Sequence, residues 1–346
     1  MEPPLKLFVC EFITGGGFCA EALPESLVKE GALMRDALLR DLIDINEYDI
    51  ITTHDVRLGA SSLVADSIAV EGPLFQETFS KVLAQADLVW LIAPETEGIL
   101  LSLSELCYES KAVFLGCGFD ATLTGTSKSL SYEAMQAANI YTLPTVAGDD
   151  FLQQENVEAQ PKEHFLDTEV RCWVVKPEDG AGCDGIRIFD DEQALKAWLK
   201  QDDRCFNYLV QPYQQGLAAS FSMMCRDGKG WLLSCNQQHI SRDSQTFTLT
   251  GVTLNGMQTY WKRFDTIARK IAKMLPDATG YIGVDVIVDT ENDKIYVVEI
   301  NPRLTTSYVG LREAIGCNPA KIILDSFLAP HFDMPIIQKN IVEIML

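Results

Sequence analysis

Basic residues are scarce in this chain. It carries 28 Lys and Arg against 49 Asp and Glu, a formal net charge of −21 over 346 residues. Phosphate backbones are bound by Lys/Arg-rich faces, so no nucleic-acid partner is expected, nor docking on an anionic membrane. The acidity itself is read as solubility. Long apolar runs are also missing, and no stretch reaches the roughly 18 residues of a membrane span. The N-terminal apolar run is short and flanked by Glu2 and Glu11, a poor match to a secretory signal. No C-x-x-C occurs among the ten cysteines. That pattern argues against a zinc site or a disulfide frame and for free thiols in a reducing cytoplasm. There is no G-K-[ST] ending of a P-loop, no fixed-period repeat and no low-complexity segment. Nor is there a Ser/His/Asp or Cys/His pairing suited to nucleophilic catalysis.

What is present is an ordinary globular composition, 47% hydrophobic, long enough for two or three domains. Residues 1–118 alternate strand and helix. Strands are expected over 5–10, 48–52, 87–93 and 112–117, and helices over 73–86 and 98–109. Leu27, Met34, Leu38 and Leu42 recur at helical spacing between the first two strands. Strands separated this way predict a parallel sheet with crossover helices. A helix over 127–139 follows, then a polar loop over 148–167, short strands at 171–176 and 186–189, a helix over 192–200 and a strand over 208–213. From residue 216 the pattern turns β-rich, with antiparallel strands expected over 220–225, 231–239 and 246–254. A helix over 257–274 precedes a hairpin, 281–288 and 294–300, about the turn "TEND". A helix over 318–329 closes the chain, and "NIVEIML" adds a strand or docks on the surface.

Four stretches carry chemistry. In "VVKPEDGAGCDGIRIF", residues 174–189, Lys176 ends a strand and Gly180, Gly182 and Gly185 follow. Such a loop brings backbone N–H groups up to phosphate oxygens, with Lys176 as a point charge. The plainer reading is a glycine-rich hairpin with a surface lysine. In "GVDVIVDTENDKIYVVEINPRLTTS", residues 283–307, Asp285 lies in one strand, and Glu299 and Asn301 lie two apart in the next. Alternation puts Glu299 and Asn301 on one face, and a hairpin brings Asp285 beside them. An all-oxygen set suits Mg²⁺ shared with nucleotide phosphates, and Arg303 follows within reach of a phosphoryl or carboxylate group. Strand-end carboxylates facing water are the alternative, but these acids sit in apolar strands, where an unpaired charge is costly. In "LVQPYQQG", Gln211, Pro212 and Tyr213 offer a backbone edge and an apolar wall to an adenine, or simply a strand and a turn. In "GTSKSLSYEAM", Lys128 falls in the first turn of a helix, where the dipole attracts phosphate, or is a solvated surface lysine.

The order and spacing of these four stretches resemble the ATP-grasp superfamily of carboxylate–amine ligases, over residues 110–315. The resemblance implies an α/β chain, α+β overall, with a Rossmann-like pre-ATP-grasp domain over 1–120. A central ATP-grasp subdomain with a flap spans 121–208, and a C-terminal Mg/ATP subdomain spans 209–346. It implies ATP held by Lys128, Lys176, Gly180, Gly182, Gly185, Gln211, Pro212 and Tyr213. Two Mg²⁺ ions, with Mn²⁺ as a substitute, would be held by Asp285, Glu299 and Asn301. Arg303 and Lys176 take the catalytic roles, and the flap at 178–185 closes over an acyl phosphate. "QPYQQGLAAS" lacks the acidic residue that often holds ribose in this superfamily.

The opening "FVCEFITGGG" and the later "LIAPETEGIL" are similar to motifs of the tyramine–glutamate ligases of methanofuran biosynthesis. Gly15, Gly17 and Ala20 also fit the dinucleotide pattern G-x-G-x-x-G/A, but that pattern needs an acid about 20 residues on. Asp55 lies 38 residues past Gly17, and Pro24 interrupts the helix. Gly15, Gly16 and Gly17 are therefore expected either to line the substrate pocket or to make a tight turn. Glu95, Glu97, His239, Arg242 and the "HDVR" loop at 54–57 are further substrate candidates. Helix capping and structural packing are the alternatives for Glu95, Glu97 and His239. Glutamate is the implied acid and tyramine or tyrosine the implied amine, in a cytoplasmic enzyme compatible with a homodimer. The rivals are another amino-acid ligase, a nucleotide-binding regulatory protein without turnover, and a carboxylase. No M-K-M biotinyl context is present for the last.

Overall fold

A computed structural model of the chain describes residues 3–153, 172–180, 185–243 and 246–346. The first sheet is wholly parallel, in the order β3-β2-β1-β4-β5. Its strands are β1 (Leu5–Glu11), β2 (Tyr48–Asp55), β3 (Asp66–Val70), β4 (Leu88–Ile92) and β5 (Val113–Phe114). Helices α1 (Glu25–Ile45), α2 (Phe75–Leu83) and α3 (Ile99–Glu109) connect them. β1 is central, so both its faces are covered: Leu7 and Val9 enter one core, Phe8 and Cys10 the other. β3 escapes the sequence pattern because it is an edge strand, largely exposed, with only Val70 fully buried.

Two helices then lead out of the first sheet, α4 (Phe119–Thr126) and α5 (Lys128–Ala137). The sequence shows only the second. α4, "FDATLTGT", is a weak helix former. Its N-terminus is capped from far away, the Asp277 carboxylate accepting from the N–H groups of Asp120 and Ala121 at 2.9 and 3.3 Å. After β6 (Val146–Ala147) comes α6 (Gly148–Gln153), a helix at the start of what the sequence suggests is a loop. The rest of that loop, from residue 154, lies outside the described residues. A small antiparallel sheet, β6-β9-β7-β8, uses β7 (Trp173–Pro177), β8 (Arg187–Phe189) and β9 (Tyr208–Pro212). α7 (Glu192–Leu199) packs on it through Leu195 and Leu199.

The large sheet is antiparallel, in the order β14-β13-β10-β11-β12-β15. It contains β10 (Leu217–Arg226), β11 (Lys229–Arg242), β12 (Phe247–Leu254), β13 (Gly280–Asp289), β14 (Lys294–Asn301) and β15 (Val342–Met345). Alternation divides each strand between two cores. Phe221, Met223 and Cys225 face α8 (Trp261–Met274), which buries Phe264, Ala268, Ile271 and Ala272. Met224, on the other face, joins the core that also contains Leu38 and Leu42 of α1. The short α9 (Leu311–Ile315) and α10 (Pro319–Leu328) complete that core. One apolar cluster thus runs from the parallel sheet, through α1, into the large antiparallel sheet.

Polar contacts reinforce this junction. The buried Asp41 of α1 accepts from Tyr308 Oη at 2.8 Å and from Arg312 Nη1 at 3.1 Å. Burial pushes its carboxyl up to about 6, against the hydrogen bond from Tyr308 and the charge of Arg312, which lower it. The native state therefore holds this proton more tightly than the unfolded chain, whose Asp titrates near pH ~4. The resulting stabilisation is complete below that value and is lost as pH rises through the folded value. Asp41→Asn keeps an acceptor and removes the titration. The unfolding free energy of Asp41→Asn minus that of the wild type should rise between pH 4 and 7 by up to about 3 kcal/mol. Denaturant titrations across that range measure it, and a flat difference would mean that Asp41 titrates normally.

Candidate active site

The site grows from one irregularity. β13 and β14 pair with Asp285 opposite Glu299 and Val286 opposite Val297, so Val298 is an extra residue, a β-bulge. Glu299 and Asn301, two apart beyond the bulge, lie on the face of Asp285. Asn301 Nδ2 donates to Asp285 Oδ2 at 3.1 Å. Gln238 Nε2, from β11, donates to Asp285 Oδ1 at 2.8 Å. Burial, and next the charge of Glu299, push the Asp285 carboxyl up to about 7, while hydrogen bonds from Asn301 and Gln238 oppose the rise. Two half-buried carboxylates forced together, with amide oxygen beside them and no Cys or His, make a donor set that fits a hard divalent cation.

Two lysines meet this face. Lys176, at the end of β7, is 4% exposed, and its Nζ donates to the bulge carbonyl of Val298 at 3.3 Å. Burial lowers its ammonium to about 8, although Glu299 pulls the other way. Lys128 opens α5, pairs with Glu299 Oε1 at 3.1 Å and donates to the Gly180 carbonyl at 2.6 Å. It can come this close because Gly125, at the end of α4, packs on the end of β14. A Cβ there would lie 2.7 Å from Pro302 Cδ and 3.1 Å from the Ile300 carbonyl. The N-terminus of α5 is already occupied. The Glu178 carboxylate accepts from Ser127 Oγ at 2.6 Å, Ser129 N at 3.1 Å and Ser129 Oγ at 2.8 Å. Lys128 therefore meets the site through its ammonium, not through a helix-end phosphate seat. Gly180 and Gly185 flank the loop; Gly182 lies outside the described residues.

Arg303 follows the carboxylate face by two residues and turns toward the first sheet. Its Nε and Nη2 donate to Oε1 and Oε2 of Glu95 at 2.8 and 2.6 Å, and its Nη1 donates to the Leu304 carbonyl at 3.1 Å. Glu95 is thus brought into the cluster, with Arg303 and not open space as its partner. Glu97, two residues on, is exposed in a left-handed conformation, φ +54°, and stays outside it.

The remaining sequence candidates divide. Gln211 is buried in β9, its Nε2 donating to Thr145 Oγ1 at 2.6 Å, and Pro212 pairs with Trp173. The N–H of Tyr213 already donates to the Cys172 carbonyl at 2.8 Å, so that residue offers its ring. Arg242 lies over this ring, 4.9 Å from its centroid, and Phe247 stacks with it at 6.5 Å. His239 does not join: its Nε2 contacts Thr253 Oγ1 at 2.7 Å. Its neighbour Gln238 reaches Asp285 instead, because adjacent residues in a strand point to opposite faces. Alternation about "NQQHIS" was the signal available for Gln238. In the "HDVR" stretch, Arg57 binds Asp55 and the carbonyls of Phe18 and Glu21, stapling the loop after β1.

The glycine loop itself is a tight five-residue helical turn, Ile13–Gly17. The buried Glu11 carboxylate caps it, accepting from Ile13 N at 3.0 Å, Thr14 N at 2.7 Å and Thr14 Oγ1 at 2.6 Å. Gly16 has φ +101°, and a Cβ there would sit 2.5 Å from Val70 Cβ. Cβ atoms at Gly15 and Gly17 would meet Thr53 and the Phe12 ring. Packing against β2, β3 and Phe12 is enough to require glycine at all three positions.

Comparison with known proteins places the chain in a family. The ATP-grasp domain family matches residues 125–307, and the pre ATP-grasp 3 domain family matches residues 48–122. The tyramine–L-glutamate ligase of Methanocaldococcus jannaschii is 28% identical over 295 residues, 83% of this chain and 80% of that enzyme. A solved ATP-grasp superfamily protein from Archaeoglobus fulgidus has a TM-score of 0.69 at 19% identity, covering 99% of both chains. The biotin carboxylase domain of Hydrogenobacter thermophilus 2-oxoglutarate carboxylase, solved with MgADP and bicarbonate, gives 0.71 at 14% identity, over 98% of this chain and 73% of that one. At these identities the two structures share the fold.

Two outcomes test the site as described. Glu299→Gln is nearly isosteric, so its circular dichroism should match the wild type, while Mn²⁺ binding in the presence of ADP weakens by about tenfold or more. Unchanged Mn²⁺ affinity in a calorimetric titration would place the cation elsewhere. Gly16→Ala should cost about 1–3 kcal/mol in denaturant unfolding. In the Val70→Ala background the same change should cost clearly less; equal costs in both backgrounds would show that Val70 is not the obstacle.

Proposed function

The chain belongs to the ATP-grasp family, and from that premise we propose that it joins the carboxylate of glutamate to the amine of tyramine or tyrosine. The overall reaction is an ATP-dependent, ADP-forming ligation that makes a C–N bond. The observation that carries this reading is the convergence of Asp285, Glu299, Asn301, Lys128 and Lys176 on one face, with Arg303 two residues beyond it on Glu95. A regulatory nucleotide-binding protein without turnover has no need of such a costly like-charged pair. The choice of glutamate and tyramine draws on the name of the relative at 28% identity, and extends to a methanofuran-like one-carbon cofactor as the product's destination.

The substrate carboxylate attacks the γ-phosphorus of ATP, ADP departs, and the amine then displaces phosphate from the acyl phosphate. Lys128 and Lys176 hold and orient the phosphate oxygens. Asp285, Glu299 and Asn301 would hold Mg²⁺, in the full reading two ions, which when bound offsets negative charge on the phosphates. Arg303 donates to the acyl phosphate and to the oxyanion formed on amine attack. Gly180, Gly182 and Gly185 belong to a flap that excludes water, and Gln211–Tyr213, with Arg242 against the Tyr213 ring, form the adenine side. In this reading the chain divides near residues 120 and 208, works in the cytoplasm and is compatible with a homodimer. Among the described residues no helix is long and apolar enough to cross a membrane.

ADP release measured with glutamate and a panel of amines should be greatest with tyramine or tyrosine. Preference for another amino acid as the amine would shift the assignment to that ligation, and amine-independent or absent release would remove the ligase reading. With ¹⁸O in the glutamate carboxylates, label should appear in the released phosphate. AMP and pyrophosphate as products, or unlabelled phosphate, would rule out the acyl phosphate.

A further inference from the structure

Arg303 lies between two sets of carboxylates. On one side is the cation face, Asp285 and Glu299, whose charges act on it, as does that of Glu30 from α1. On the other is Glu95, which takes the Nε and Nη2 edge of the guanidinium in two parallel bonds. Nothing in the sequence between residues 283 and 307 favours one side. The side chain of Arg303 is 12% exposed and that of Glu95 2%, so each is the other's main charge compensation. Glu95 is held by its own loop: the Leu100 N–H bonds back to the Pro94 carbonyl and the Gly98 N–H to the Glu95 carbonyl, with Glu97 and Gly98 both left-handed. The carboxylate is therefore presented from a fixed turn of the parallel sheet to a residue 208 positions away.

We propose that Glu95 is a positioning residue that keeps Arg303 off the cation carboxylates. This rests on the ligase reading above for its purpose, though not for its test. Among the described residues, Glu95 and Leu304 engage three of the five guanidinium N–H groups, and two remain for an anionic oxygen. Without Glu95, the guanidinium is left with Glu30, which already accepts from Thr306, and with the cation-face pair Asp285 and Glu299, of which Glu299 has Lys128. It would pair with the cation face, occupy the place of the divalent cation and no longer meet the acyl phosphate. The first sheet thus contributes to the chemistry by taking a competitor away from the metal face, and does not itself need to touch ATP.

Titration with Mn²⁺ in the presence of ADP tests this without any knowledge of the amine. Glu95→Gln should weaken Mn²⁺ binding by about tenfold or more, and Glu95→Asp, which restores the charge, should recover part of it. The deciding variant is Glu95→Gln with Arg303→Met. Removal of the displaced guanidinium should return Mn²⁺ affinity to near the wild-type value, and the double variant relieves the buried charge that could unfold the single one. If Glu95→Gln binds Mn²⁺ like the wild type, or the double variant stays weak while its circular dichroism is native, Glu95 is only a structural staple and the proposal is overturned. If the Mn²⁺ pattern holds while no amine supports ADP release, it is the ligase reading that has failed and not this one.

Discussion

Two half-buried carboxylates lie side by side, Asp285 opposite Glu299 across a bulged hairpin, and the surrounding structure is arranged around their mutual repulsion. Only part of each reaches water, so much of their compensation comes from protein groups. The amides of Asn301 and Gln238 satisfy Asp285, and the Lys128 ammonium balances Glu299. The bulge gives Lys176 a backbone carbonyl to bind, so a second ammonium stands at the same face without neutralising the carboxylates outright. Each of these contacts is modest. Together they hold a negative, oxygen-lined face in place.

That face has to be assembled from distant parts of the chain, and the packing explains how. Gly125 lets α4 lie on the end of β14, which brings Lys128 to Glu299. Glu178 caps α5 while its main-chain carbonyl accepts from Lys128 N at 3.2 Å, tying the entry of the glycine loop to the same helix. On the far side, the shared core through α1 fixes the parallel sheet against the large antiparallel one, and Asp41, Tyr308 and Arg312 stitch the seam. Only with that seam fixed can the turn after β4 place Glu95 on Arg303. Breaking a buried pair of this kind by removing one partner typically costs about 3–5 kcal/mol, so the ion pair joins the two halves as well as shaping the site.

The glycine-rich opening of the chain has a different explanation from the glycine loop at 180–185. Its glycines answer to steric demands from Thr53, Val70 and Phe12, and its polar ends are satisfied by Glu11. Packing by itself accounts for this G-x-G pattern after a strand.

The sequence alone determined the elements whose signal is periodic or local. Alternation and helical spacing marked the parallel sheet and the β-rich half, and the hairpin about "TEND" put Asp285 beside Glu299 and Asn301, because a strand has period two whatever surrounds it. The order of Lys128, Lys176, the glycines and the E-x-N-P-R ending was legible through its resemblance to the ATP-grasp superfamily, not through any period. Tertiary structure decided what those residues bind. β3 is an exposed edge and α4 a weak helix held by Asp277, so neither has a strong local pattern. Gln238 lies 47 residues from Asp285 and Glu95 lies 208 from Arg303, and no spacing rule connects them. Their pairing is set by how sheets and helices pack. A buried charge takes the partner that packing brings to it, and that partner can come from anywhere in the chain.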